Sequence, residues 1–122
     1  MISSSVLLLT LATGAAAAAP PQRTAVVVGI EVYQHLGDSL RVQGARDDAM
    51  RVAEALETRG GFHHVQLLTD ASATRGAIES LLRGGLGLGE GDLFLLYFVG
   101  HGIGGDFGEP RLLTYDTDPE SL

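Results

Sequence analysis

Residues 93–105 read LFLLYFVGHGIGG, an unbroken apolar and aromatic run that stops at Gly-His-Gly. His101 is one of only 4 histidines in the chain. Imidazole is the side chain whose ordinary titration lies nearest neutrality, so a histidine at the end of such a run can exchange protons with a substrate. Its glycine neighbours permit backbone conformations that other residues avoid, and they let a ligand approach the main chain. A strand-end histidine also serves simply by bonding to an adjacent loop. Position alone leaves both readings open.

The rest of the chain narrows the chemistry by exclusion. There is no cysteine, hence no disulfide, no thiolate metal site and no cysteine nucleophile within these residues. All 8 basic residues are arginine, so a phosphate loop of the G-x-x-x-x-G-K-[ST] type is impossible, and the first strand ends in Val28-Gly29-Ile30-Glu31 without a G-x-G-x-x-G. A G-x-S-x-G elbow is absent too. The adjacent pair His63-His64 cannot easily converge on one ion and reads as solvated loop. A net charge of −7 and a pI near 4.8 disfavour a nucleic-acid partner.

These side chains need elements to position them. Residues 1–19 stand apart: "VLLLTLATGAAAAA" carries no charge, ends in small residues and meets Pro20-Pro21. That pattern predicts a signal peptide over 1–19, hence export to the periplasm or the extracellular space of a bacterium, with no membrane span once it is removed. Residues 20–122 then form one domain. "TAVVVGI" (residues 24–30) is a β-branched run suited to a strand buried on both faces. In "ARDDAMRVAEALETRGG", Ala45, Ala49, Val52, Ala53 and Leu56 fall on one helical face, and Gly60 stands where a helix would end. "HVQLL" is a short second strand. Thr74 caps a second helix with Ile78, Leu81 and Leu82 on its inner side. After the turn "RGGLGLGEGD", residues 93–99 make the third strand. The alternation predicts an α/β fold: an open parallel sheet with helices on both faces. In such sheets, functional loops lie beyond the carboxyl ends of the strands, which is where His101 falls.

The segments "AVVVGIEVYQHLGDSLRVQGARDDAMRVAEAL", "GFHHVQLLTDASATRGAIESLL", "GDLFLLYFVGHG" and "RLLTYDTDP", in this order, resemble the N-terminal half of a caspase-like cysteine peptidase domain of the metacaspase and bacterial caspase-like type. The Y-F-V-G-H-G end of the apolar strand is the most specific piece. The resemblance implies an incomplete three-layer α/β/α domain and a cysteine endopeptidase acting on peptide or protein substrates, with cleavage after Arg or Lys. His101 matches the catalytic histidine, which pairs with a thiolate and protonates the departing amine. Gly102 matches the glycine whose N–H helps cradle the oxyanion. Asp48 matches an aspartate that holds a basic substrate side chain, although a carboxylate in a first helical turn is also favoured by the helix dipole. Asp116 matches an aspartate to which no chemical role is assigned.

This chain departs from the family at Val99, where serine is common, and at Asp47, where asparagine is common. The larger departure is the missing nucleophile, which in the family lies ~50 residues past the histidine. The expectation is therefore a fragment that carries the histidine and not the cysteine, and whose apolar third strand leaves an edge open to self-association. A non-catalytic interaction module of the same fold is the alternative. No cofactor is expected. Calcium accompanies some relatives, but Asp106, Glu109, Asp116 and Asp118 lack the fixed spacing of a calcium loop.

Overall fold

The computed structural model describes residues 20–104 and 108–122. The region expected to be a signal peptide, residues 1–19, lies outside them, as does Asp106. Strands β1 (Arg23–Gly29), β2 (His64–Thr69) and β3 (Leu93–Val99) form a parallel sheet in the order β2-β1-β3. Helix α1 (Ala45–Thr58) connects β1 to β2, and α2 (Arg75–Ser80) connects β2 to β3. A separate antiparallel pair, β4 (Gly102–Ile103) with β5 (Arg111–Leu112), follows β3. No helix among the described residues is long and apolar enough to cross a membrane.

The β-branched run takes the central strand, as its composition demands. Ala25, Val26, Val27 and Val28 are completely buried, with alternate side chains on opposite faces. Ala25 and Val27 meet Ala49 and Ala53 of α1, together with Val52, Leu56, Leu95, Tyr97 and Val99. Val26 and Val28 face the other layer, where Ile78 and Leu81 pack with Phe94, Phe98 and Tyr115. Helices thus cover both faces of the sheet.

Glycine decides how closely α1 approaches. A Cβ on Gly29 would lie 2.7 Å from the carbonyl oxygen of Ala45 and collide with the Ala49 methyl. The carboxyl end of β1 therefore sits flush against the first turns of α1. Thr74 caps α2 as its sequence position predicts: Oγ1 accepts from the N–H of Ala77 at 3.2 Å. Beyond Ser80 the helix loosens into wider turns over Leu81–Gly85.

The apolar run of β3 lies at the sheet's edge, and the described residues pair it with β1 alone. Residues 111–115 do not fold back along that edge. They turn instead across the carboxyl ends of the strands. The N–H of Leu113 donates to the His101 carbonyl at 2.9 Å, that of Tyr115 to Ala73 at 3.0 Å, and that of Gln34 to Tyr115 at 2.9 Å. This crossing ties the loops after all three parallel strands into one surface.

Candidate active site

His101 begins where β3 ends, and two contacts from the β1–α1 loop fix it. Its backbone N–H donates to the phenol oxygen of Tyr33 at 2.7 Å. Its Nε2 bonds to the carbonyl oxygen of Leu40. A carbonyl only accepts, so Nε2 carries the proton and Nδ1 is left as the basic nitrogen of the neutral ring. The Tyr33 and His101 rings are tilted against each other with centroids 5.3 Å apart. Burial raises the Tyr33 phenol above its ordinary value, aided by the charge of Asp70 and opposed by the His101 N–H. It stays a neutral hydroxyl at physiological pH.

The glycines around His101 act by room and direction, and neither has a positive φ. A Cβ on Gly100 would stand 2.6 Å from the Tyr33 hydroxyl, so any larger residue would expel the tyrosine that holds the histidine. Gly102 pairs with Leu112 between His101–Leu113 and Ile103–Arg111, both of which lie on the bonded positions of the β4–β5 ladder. Alternation of an antiparallel ladder then points the Gly102 N–H away from β5, toward the open side of the loop.

Asp48 lies in the first turn of α1, above the end of β1, and is exposed. Its N–H donates to Gly44 at 2.9 Å, and its carboxylate makes no hydrogen bond or ion pair with the described residues. The fold therefore brings His101, Gly102 and Asp48 to the same end of the sheet, with Asp48 making no direct contact with the other two.

Between them lies a charged network that the sequence did not single out. Asp70, at the end of β2, accepts the N–H groups of Glu31 and Val32 through Oδ1 at 2.8 and 3.1 Å, while Oδ2 pairs with Arg46 at 3.0 Å. Its φ of 43° is left-handed, a conformation that aspartate tolerates better than most residues. The largely buried Glu31 accepts both Nε and Nη2 of Arg41 at 2.9 and 2.7 Å. The Arg41 bonds hold the Glu31 carboxyl below the ordinary range against the opposing effect of burial. Arg41 follows Leu40, so this pair anchors the loop whose carbonyl orients His101.

Asp116 acts elsewhere. Its Oδ1 accepts from the N–H of Arg75 at 2.9 Å and from Thr114 Oγ1 at 2.9 Å, fastening the crossing segment to the start of α2. Nδ1 of His63 accepts the N–H of Arg23 at 2.9 Å, which engages that histidine in the sheet's opposite end. Among the described residues no group of three or more acidic or histidine side chains is placed to hold a metal ion.

The model of the caspase-domain family of peptidases matches residues 22–120. This chain belongs to the caspase-domain family. Among solved structures, a Geobacter sulfurreducens protein determined as a structural-genomics target superposes with a TM-score of 0.63 at 24% identity, over 79% of this chain and 40% of that one. That likeness speaks for the fold, and the caspase domain here spans less than half of the structure it matches. Comparison with curated proteins finds no match.

Proposed function

We propose that this caspase domain contributes the acid–base half of a cysteine endopeptidase, with the thiol supplied from outside these residues. The observation that carries the reading is the fixation of His101 at the end of β3, with Leu40 bonding Nε2 and Nδ1 without a partner among the described residues. In the reaction, the thiol passes its proton to Nδ1 of His101, the resulting thiolate adds to the scissile carbonyl, and the imidazolium returns that proton from Nδ1 to the amine as the C–N bond breaks. The outward N–H of Gly102 stabilises the oxyanion that forms; loss of one such donor elsewhere costs on the order of 10²–10³ in rate. The unpaired Asp48 carboxylate receives an Arg or Lys side chain of the substrate. Residues 1–19 serve as an export signal, which places the enzyme outside the cytoplasm.

The absence of cysteine favours a second reading, in which the same fold serves as a non-catalytic interaction module. Reading the frame past the Leu122 codon and assaying its complete product on Arg-, Lys- and Asp-terminated fluorogenic peptides separates the two. Cleavage after Arg or Lys that is lost in His101→Ala supports the peptidase. A product without a thiol and without hydrolysis supports the module. Hydrolysis unchanged in His101→Ala overturns the assignment of His101.

A further inference from the structure

We propose that Glu31 is a positioning residue of this site: its carboxylate closes the loop that supplies both contacts to His101 and so fixes the geometry of proton transfer. The inference rests on the acid–base role proposed for His101.

Both contacts come from one closed stretch of chain. Tyr33, which accepts the His101 N–H, and Leu40, which bonds Nε2, stand near the two ends of residues 32–41. Glu31 and Val42 form the neck of that loop, where the Val42 N–H donates to the Glu31 carbonyl at 2.9 Å. The Glu31 N–H donates to Asp70 Oδ1 at 2.8 Å, and its Oε1 accepts Nε and Nη2 of Arg41 at 2.9 and 2.7 Å. One residue thus ties the loop to the end of β2, to Val42 and to Arg41.

The Arg41 bond reaches His101 through a single peptide unit, the one between Leu40 and Arg41. Its N–H donates to the Asp38 carbonyl at 3.1 Å, and its own carbonyl, on the opposite side of the planar trans unit, meets His101 Nε2. Displacement of the Arg41 backbone would carry that oxygen away from the imidazole. Two charge-assisted bonds to Glu31 oppose it.

Stability alone does not call for a carboxylate here. Among the described residues the buried polar ones are Thr24 and Glu31, so Glu31 is the one that takes a charge into the interior. Desolvating a charge is costly, and apolar side chains of similar volume often stabilise a fold as well as a buried ion pair does. The Arg41 side chain is 48% exposed, which weakens the attraction further. What an apolar contact lacks is direction, and direction is what the Leu40 carbonyl needs. The same two side-chain types meet as Arg75 and Glu79 on the surface of α2 and provide the control.

Histidine ¹⁵N spectra and peptidase kinetics of the complete product of the reading frame test this together. Glu31→Gln keeps the shape of the side chain and removes its charge. The neutral ring of His101 should then divide between both tautomers, and the Leu40 carbonyl ¹³C signal should move toward that of an unbonded carbonyl. On an Arg-terminated peptide kcat should fall at least about tenfold with KM within about twofold, as a misplacement of about 1 Å costs up to about 10²-fold. Glu79→Gln should change none of these. Arg41→Lys, which keeps a charge beside Glu31, should lose less than Arg41→Gln. If Glu31→Gln does not fold, the two Arg41 variants decide, since that side chain is half-exposed. A parent without hydrolysis removes the peptidase reading, and the spectra then decide the positioning of His101 alone. A folded Glu31→Gln protein whose His101 tautomer and Leu40 carbonyl match the parent's, or whose kcat falls no further than that of Glu79→Gln, would overturn the proposal.

Discussion

The two faces of the sheet are closed by different means. On the α1 side, Ala45, Ala49 and Ala53 are buried and Gly29 offers no side chain, so 14 residues of regular helix lie flat across all three strands. On the α2 side the regular helix is only 6 residues long, it widens after Ser80, and long side chains such as Leu82, Leu96 and Leu112 remain in contact with solvent. Small residues permit close approach and leave no slack. Large ones that do not interdigitate leave a cleft. The first face is a close-packed core, and the second retains an apolar cleft among the described residues.

A substitution that adds volume should separate the faces most sharply. Gly29→Val drives methyl groups into the backbone of Ala45 and the side chain of Ala49, neither of which can move without shifting α1. The expected loss is about 3 kcal/mol in urea denaturation. Leu82→Met in the cleft should change stability by less than about 0.5 kcal/mol, as an exposed volume-conserving swap. Equal effects at the two positions would mean that the α1 face is no tighter than the other.

A smaller effect is expected where the α2 layer is pinned to the crossing segment. Asp116→Asn weakens the bond to the Arg75 N–H, with an expected cost of about 1 kcal/mol at pH 7. The bonds from the Arg75 N–H and Thr114 hold the Asp116 carboxyl below its ordinary value of 3.8 against slight burial. A lowered carboxyl stabilises the fold fully above its unfolded value and loses that contribution as pH falls through the folded one. The gap between parent and variant should therefore narrow steadily once pH drops below 3.8. Thermal unfolding followed from pH 7 to pH 2 reads this directly; a gap that stays constant would show that the charge of Asp116 plays no part.

The fold was largely legible because its signals are local. Three consecutive valines specify a doubly buried strand, alanines at helical spacing specify α1, and Thr74 caps the helix that its position announces. His101 was found because a histidine at a strand end is rare and visible. Its supports were not: Tyr33 is an ordinary residue of a polar loop, and Leu40 contributes a backbone oxygen that every residue possesses. Asp70 matches no motif, and its importance comes from a left-handed backbone and from N–H groups 38 and 39 residues away. Asp116 looks like any acid in an acidic tail until Arg75 is brought beside it. The open edge of β3 among the described residues was expected from the family resemblance and not from the run itself, since an apolar run specifies burial without naming the neighbour that provides it.

The central claim is that the Leu40 carbonyl fixes the Nε2–H tautomer of His101 and leaves Nδ1 as the nitrogen able to exchange a proton. The ¹⁵N spectrum of the histidine side chains, with His101 assigned by comparison with His101→Gln, tests this without any substrate or nucleophile. The account predicts that the neutral ring of His101 is the Nε2–H tautomer and that Leu40, read through its carbonyl ¹³C signal, loses a hydrogen bond in the variant. A neutral His101 protonated on Nδ1, or a Leu40 carbonyl indifferent to the substitution, would contradict it.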